Sequence, residues 1–449
     1  MPRFDLVVVG TGQGGSAAAT RCREAGWRVA IVDELPYGGT CALRGCDPKR
    51  VLVGAAELVD WQRRMSGHGI TGDAGIDWPA LSRFEHSFTD PVPSQSEAAF
   101  EAAGIATYHG PARFVSDDRL RIADETLEAE HIVIASGARP AELGIPGEQH
   151  VRTSTDFLEL EQLPRRIAFI GAGYISFEFA HVVQRAGASA VVLGRGAPLA
   201  RFDQDLVARL VEHTKRIGID VRIKTNVVGV TRTDGRYSVH VETVTGAGTT
   251  DADLVVHGAG RVPNTRGLDL EVGNVAVDER GGVRVNEYLQ SVSNPRVYAV
   301  GDAVLLPGKL PLTPVAAHEG IVVATNLRRG NTVKPDYRGT PSVVFTVPPL
   351  ASVGLTEAAA RSQGLRVRVA TEETGGWYAN RRVREPAGMF KTIVDEATDR
   401  VVGAHVFGPQ AEEVINVFAL AVRHEIAASA LRRMIYAYPT GASNIPYML

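Results

Sequence analysis

The 449-residue chain predicts an α/β fold, and three observations carry that prediction. An apolar run at residues 4–9 leads into Gly10-x-Gly12-x-x-Gly15, an Ala-rich helical stretch at 16–25, and a second apolar run at 29–32 that ends in Asp33. The same order returns at 167–170, with Gly171-Ala172-Gly173, a helical stretch at 177–186 and a strand at 190–193. From about residue 336 the pattern becomes strands around a proline turn with one long apolar helix, an α+β arrangement. Strand, glycine loop, helix and strand in that order form a Rossmann-like dinucleotide-binding unit. Two such units followed by an α+β module are therefore expected.

Composition bounds the function. Lys plus Arg total 48 against 51 Asp plus Glu, so a formal charge of −3 gives no electrostatic footprint for nucleic acid or anionic lipid. No run approaches the roughly 20 apolar residues of a membrane span. The start, MPRFDLVVVG, enters a strand at once and leaves no room for a signal peptide, so a cytoplasmic location is expected. Three cysteines do not make a disulfide scaffold, and in a reducing compartment a spaced pair is more often catalytic than structural.

In the first module the glycines let the backbone approach a pyrophosphate at a helix N-terminus, and an acid about twenty residues on can accept from a ribose hydroxyl. Asp33 is placed for that role. Cys22 lies in the helical stretch and reads as packing. Residues 51–103 look helical and polar, with Trp61, Met65 and Trp78 as expected core residues. A buried strand at 131–135 then runs into the turn Ser136-Gly137-Ala138-Arg139-Pro140.

Between the first two Rossmann strands and that helical region lies GGTCALRGCDPKR, residues 38–50, in which Cys41 and Cys46 flank Gly45. Cα atoms five apart on an unbroken helix are roughly 8.6 Å apart, beyond the roughly 7 Å a disulfide tolerates. A redox-active disulfide here requires a distorted backbone, which Gly38, Gly39 and Gly45 permit. A structural zinc needs four ligands and the chain does not offer them, so no metal is expected. Two unreactive buried thiols remain the alternative on this stretch alone.

In the second module the position that corresponds to Asp33 is Gly194, and Arg195 follows. A missing acid with arginines nearby, Arg195 and Arg201, suits a 2′-phosphate, so NADPH is expected over NADH. A strand at 254–257 leads to Gly260-Arg261-Val262-Pro263-Asn264. In the third module strands are expected at 342–346, 351–355, 365–370 and 389–394, with a helix at 412–422. Val414, Ile415, Val417, Phe418 and Val422 cover more than one face of that helix, which should be buried on several sides. Arg381, Arg382 and Arg384 read as a solvated face.

GGTCALRGCDPKR, GAGYISFEFA, GAGRVPN, VYAVGD and FTVPPLASVGLTE together resemble the class I pyridine nucleotide-disulfide oxidoreductases, the family of glutathione reductase, dihydrolipoamide dehydrogenase and mercuric reductase. The resemblance covers essentially the whole chain. It implies FAD at residues 1–152 and 283–335, the nicotinamide cofactor at 153–282, and a dimerisation domain at 336–449. By the same resemblance Cys46 would lie against the flavin as the charge-transfer thiol and Cys41 would meet the substrate. Glu178 matches the acid that pairs with a lysine beside the reactive flavin nitrogen, its partner being Lys49 or Arg50. Tyr174 would cover the nicotinamide pocket. Asp302, beside Gly301, would bind the ribitol, and the helix starting at Thr313, Pro314, Val315 and Ala316 would point its amides at the flavin pyrimidine. Gly39, Thr40, Ser136, Gly137, Gly260 and Arg261 complete the expected cofactor contacts.

The departure is at the C-terminus. Where disulfide-reducing relatives carry His-Pro-Thr and a glutamate five residues after the histidine, this chain has Tyr438-Pro439-Thr440 and Ser443. A phenol with pKa near 10 does not exchange protons at neutral pH as an imidazole near 6.5 does. His318, the nearest replacement, should instead lie along a helix. The resemblance implies a homodimer in which Tyr438 completes the partner's site. The expected function is electron transfer from NADPH through FAD and a Cys41–Cys46 disulfide to a small-molecule disulfide or other soft oxidant. Reduction of mercuric or another metal ion, or of a quinone, is one alternative. A redox-sensing flavoprotein of low turnover is the other.

Overall fold

The computed structural model describes all 449 residues and divides the chain into two compact units. The first comprises Met1–Pro48, Phe84–Ala141 and Arg261–Tyr337, and the second Lys49–Arg83, Glu142–Gly260 and Arg338–Leu449. Residues 49–83 and 338–449 thus group with the second dinucleotide module. No helix is long and apolar enough to cross a membrane.

The first unit is built on a sheet of seven strands. Its parallel strands Ala106–His109, Val29–Asp33, Arg3–Val9 and Glu125–Ile134 lie side by side, and Val297–Ala299 joins the last of them, also parallel. Leu6, Val7 and Val8 in the central strand are all fully buried, as a strand covered on both faces requires. The helix Gln13–Glu24 begins three residues earlier than expected, directly after its cap Gly12, and packs its small residues against the helix Thr313–Arg329. Gly14 and Gly320 make that approach possible. Cys22 is buried there, and burial pushes its thiol up to about 12, so it is packing rather than chemistry.

The second unit repeats the motif in four parallel strands, in the order Asp220–Ile223, Ser189–Gly194, Arg166–Ile170 and Leu254–His257. Three antiparallel strands, Asn226–Thr233, Arg236–Thr243 and Gly246–Ala252, form a separate sheet. The α+β module is a five-stranded antiparallel sheet in the order Ser342–Val344, Leu350–Gly354, Val401–Phe407, Met389–Asp395 and Val367–Glu373. Its strand Val401–Phe407 was not anticipated from the sequence. The helix Ala411–Arg423 buries Val414, Ile415 and Phe418 completely or nearly so, while Val417 and Val422 are partly buried, in line with its broad apolar face.

Residues 51–103 are helical as expected, in Cys46–Met65, Trp78–Thr89 and Val92–Ala102. Trp78 is buried, with its indole N–H donating to Leu160. Trp61 is a correction to the expected core: it is 45% exposed, with the Arg382 guanidinium over its ring at 5.9 Å. Met65 is only partly buried.

A buried polar knot fastens the second unit. His213 Nε2 donates to the Val347 carbonyl at 3.1 Å, while its Nδ1 is buried without a partner. His181 Nδ1 accepts from the Val347 amide at 3.1 Å, and its Nε2 meets Thr214 at 3.0 Å. Burial, with Arg185 nearby, pushes His213 down to about 4 and holds His181 well below the usual imidazole range. Glu385 moves the other way, raised by burial to about 7. A histidine held neutral in the folded state contributes stability that is complete above its unfolded pKa near 6.5 and is lost as pH falls through the folded value. Glu385 imposes the opposite slope between about pH 4.5 and 7, so the difference from a variant is the informative quantity. The His213→Gln protein, which keeps an amide donor for Val347, should gain on the wild type by up to about 3 kcal/mol as pH drops from 6.5 to 4. Parallel denaturation curves of the two proteins across that range check it.

Candidate active site

The glycine loop and the cysteine stretch meet in the first unit. Gly39, at φ +74°, brings its backbone so close to Gly12 that a Cβ would stand 2.5 Å from the Gly12 Cα. Gly38 N–H donates to the Thr11 hydroxyl at 3.2 Å. Thr11 donates in turn from its amide at 2.8 Å and its hydroxyl at 2.7 Å to Asp33 Oδ2, and Leu35 N–H reaches Oδ1. Asp33 thus fixes the loop, and of about four lone-pair positions on a carboxylate one stays open for a ribose hydroxyl. Thr11 gave no signal in the sequence pattern.

Cys41 lies on the short helix Gly39–Arg44 and Cys46 opens the helix Cys46–Met65, with the break at Gly45. This is the distortion that the spacing demands. Both cysteines are free thiols, Cys41 half-buried and Cys46 exposed. They hydrogen-bond to each other, and that bond together with burial pushes the Cys41 thiol strongly up. Cys46 Sγ is 3.6 Å from the Thr313 hydroxyl. Thr313, Pro314, Val315 and Ala316 form the first turn of their helix, which has no side-chain cap. The helices that begin after Gly12 and Gly173 lack one too, so the first amides of all three are left to other partners.

Gly301 and Asp302 form a short turn whose backbone is pinned by a buried network absent from the sequence reading. Glu319 accepts from the Gly301 amide at 2.7 Å, and Lys309 donates to the Gly301 carbonyl at 2.5 Å and the Val304 carbonyl at 3.1 Å. Lys309 and Glu319 pair at 3.1 Å with side chains 4% and 0% exposed, and Tyr337 donates to Glu319. An acid set among the apolar residues of helix Thr313–Arg329 is the one signal that marks this network. Ser136 Oγ is buried without a partner beside Gly137. The strand Arg261–Pro263 pairs antiparallel with Ala138–Pro140, and Arg261 donates to the Ala138 carbonyl. Gly260 is the last residue of the second unit's middle segment. His318 accepts from the Asp336 amide along its helix and is committed there.

In the second unit Glu178 is fully buried on the helix Tyr174–Arg185. Lys49 Nζ reaches its Oε2 at 2.8 Å, and the Phe345 amide donates to its Oε1 at 2.8 Å. Lys49, not Arg50, is therefore the partner. Arg50 turns to Glu57 at 2.9 Å and toward Glu412 at 4.0 Å, and both cations lie over the Phe345 ring, at 5.2 and 5.0 Å. Gly171 and Gly173 form the second glycine loop, and Tyr174, the first residue of the helix, is 45% exposed. A Cβ on Gly194 would meet Ala172 Cβ at 2.6 Å, so no acid fits at that strand end. Arg195 and Arg201 are exposed in the following loop. At the C-terminus Tyr438 is 83% exposed, and the Ser443 hydroxyl donates to the Thr440 carbonyl at 2.6 Å rather than to the phenol. Gly441 N–H holds this segment to Gln410 at 3.0 Å.

Comparisons with known proteins agree in one direction. The family model described as pyridine nucleotide-disulphide oxidoreductase matches residues 4–320, and that family's dimerisation domain matches residues 340–449. A glutathione reductase from Burkholderia cepacia is 35% identical over 452 residues, covering 98% of this chain and 97% of that one. A dihydrolipoyl dehydrogenase from Chlamydia muridarum is 31% identical, covering 97% and 94%. Among solved structures, the Cu(II) complex of the HOCl-induced flavoprotein disulfide reductase RclA from Escherichia coli superposes with a TM-score of 0.89 at 26% identity, covering 100% of this chain and 99% of that one.

The two neighbouring cations should respond differently to mutation. Lys49 is 14% exposed and faces a fully buried carboxylate, so Lys49→Met strands that charge and should cost about 3–5 kcal/mol. Arg50, 40% exposed, pairs at the surface, and Arg50→Met should cost under about 1 kcal/mol. Urea denaturation midpoints of the two variants check the contrast.

Proposed function

The chain belongs to the pyridine nucleotide-disulphide oxidoreductase family and is an NAD(P)H-dependent flavoprotein oxidoreductase, and from that premise we propose that it moves electrons from NADPH through FAD and the Cys41–Cys46 pair to a small-molecule disulfide or similar soft electrophile. The observation that carries this reading is the Cys41–Gly45–Cys46 break, with two thiols in hydrogen-bond contact and Cys46 against Thr313. FAD fits the residues present. Gly12 and Gly39 form a cradle that any Cβ would fill, Ser136 Oγ is an orphaned buried donor, and the helix amides after Gly12 and Leu312 carry no side-chain cap. In this reading the backbone after Gly12 holds the pyrophosphate. Asp33 and Asp302 hold the two sugar-derived chains, and the first turn at Thr313–Ala316 faces the flavin pyrimidine. By the family resemblance, Glu178 and Lys49 would supply the charged pair for the reactive flavin nitrogen.

FAD, when bound, accepts a hydride from the nicotinamide and passes two electrons to the cysteine pair. The remaining chemistry belongs to the chain. The Cys41 thiol gives up its proton as its sulfur attacks one sulfur of the substrate, the S–S bond breaks, and that proton goes to the substrate sulfur that leaves as a thiol while a Cys41 mixed disulfide forms. Cys46 then attacks the Cys41 sulfur, which releases the second thiol and closes the Cys41–Cys46 bond. Each departing thiolate needs a proton, and Tyr438 of the partner copy stands where relatives place an imidazole. Arg195 and Arg201, exposed and without an ion pair, offer forks for a 2′-phosphate, and Gly194 leaves no acid to repel it. Residues 340–449 match the family's dimerisation domain, which supports a homodimer. A second reading is reduction of a metal ion by the same pair, and the existence of a Cu(II) complex of the similar Escherichia coli flavoprotein is the observation behind it.

The protein should carry one FAD per chain and turn over faster with NADPH than with NADH. Two-electron reduction should raise a long-wavelength charge-transfer absorbance that Cys46→Ser abolishes. Cys41→Ser should keep the band and lose disulfide turnover. Wild-type disulfide turnover in both variants would refute the cysteine assignment.

Proton delivery should be the slow step on ordinary disulfides. General acid–base assistance is worth about 10² to 10⁴ in rate, and a low leaving-group pKa reduces the need for it. Tyr438→His combined with Ser443→Glu should therefore accelerate turnover on glutathione disulfide more than on an aryl disulfide. Stopped-flow reduction by NADPH, measured alongside, should be unchanged. Equal and fast wild-type turnover on both disulfides would assign the proton to another group.

A further inference from the structure

Three turns beyond Lys49 on the helix Cys46–Met65 stands Asp60, and two turns beyond Glu178 on the helix Tyr174–Arg185 stands Arg185. Those spacings put each pair of residues on one face of its helix. The same two helices are thus joined twice, by Lys49–Glu178 at 2.8 Å and by Asp60–Arg185 at 2.8 Å. Arg185 is 1% exposed and all three of its guanidinium nitrogens have partners: Nε and Nη2 donate to Asp60 Oδ1, Nη2 also to the Val347 carbonyl at 3.0 Å, and Nη1 faces His181 Nδ1 at 3.3 Å. Arg64 holds the other oxygen of Asp60 at 2.8 Å.

The extended segment 345–347 runs along both pairs. Its Phe345 amide donates to Glu178, its Val347 amide to His181, and its Val347 carbonyl accepts from Arg185 and His213. Glu178, His181 and Arg185 are three and seven residues apart, so a single helix face reads this segment from end to end. A single ion pair between two helices leaves rotation about that pair free, whereas a second one two to three turns away fixes both rotation and translation. A buried guanidinium is also a poor device for stability alone, since well-packed apolar residues of the same volume hold helices as well or better. What a charged pair adds is register.

We propose that Asp60 and Arg185 are positioning residues for the flavin-side pair: they set the register of the two helices and of segment 345–347, and so place the Glu178 carboxylate and the Lys49 ammonium. This rests on the reading of Lys49–Glu178 as the pair beside the reactive flavin nitrogen. The route is physical at each step. Without the Asp60–Arg185 bridge the Val347 carbonyl loses one of its two donors, the segment shifts, and the Phe345 amide moves relative to Glu178 Oε1.

The test is the flavin midpoint potential and visible spectrum of the purified holoenzyme, recorded well below its unfolding temperature, for Glu178→Gln, Asp60→Asn, Arg185→Lys and Arg185→Met. Glu178→Gln should shift the potential. Asp60→Asn and Arg185→Met should shift it in the same direction by at least half as much, and Arg185→Lys, which keeps the charge without the fork, by less. A purely structural role would lower the unfolding temperature of the last three and leave the folded holoenzyme's potential and spectrum at wild-type values; that result overturns the proposal. Should Arg185→Met fail to fold, Asp60→Asn and Arg185→Lys decide alone. A silent Glu178→Gln would refute the flavin-side reading itself and the proposal with it, whereas a shifted Glu178→Gln beside silent Asp60 and Arg185 variants refutes only the positioning role.

Discussion

A fully buried carboxylate at Glu178 constrains much of the second unit. An unpaired charge at that depth is too costly to keep, so Lys49 must reach it, and the free oxygen needs a donor, which the Phe345 amide supplies. Those two requirements fix the start of one helix, the middle of another and the line of an extended segment. Phe345 also lends its ring to Lys49 and Arg50, so the two cations share one aromatic ring while serving different acids. The Glu178 pair is local electrostatics, yet it decides which residues of segments distant in sequence are brought together.

Much of the architecture was legible because it rests on periodicity and glycine. Buried parallel strands must be continuous apolar runs, and a pyrophosphate loop must be glycine-rich, so both Rossmann units are written in residues 4–33 and 167–193. The illegible parts share a different cause. Trp61 lies on a polar helical stretch where composition suggested a core residue, but it stays 45% exposed, with the Arg382 guanidinium over its ring. Val401–Phe407 escaped notice because Gly403 and His405 interrupt its apolar run, and it became a strand through pairing on both edges. Tertiary partners settled that segment where local pattern did not.

The site divides along the same line. Cys41, Gly45 and Cys46 announce themselves by spacing, since only a helix break reconciles that spacing with sulfur contact. At Gly45 a Cβ would stand 2.9 Å from the Thr40 carbonyl, which ties the break to glycine. The choice between Lys49 and Arg50 was open in the sequence, because adjacent residues on a helix point about 100° apart and only the position of the partner selects one. Lys309, Glu319 and Tyr337 were invisible for a similar reason. Each is unremarkable in its own segment, and their meaning lies in meeting at Gly301.

The C-terminal segment is where chemistry and family pattern part. Gly441 anchors it on Gln410, and Ser443 spends its hydroxyl on Thr440. A phenol can donate a hydrogen bond at neutral pH but regains a proton from water far less readily than an imidazole takes and returns one. The consequence falls on the acceptor rather than on the flavin. Substrates whose released sulfur is already stable as an anion pass through such a site unhindered, and those that leave as basic thiolates do not. In the proposed reaction, Tyr438 and Ser443 in place of His and Glu would act as a filter on leaving-group acidity, a constraint on the acceptor rather than on the flavin.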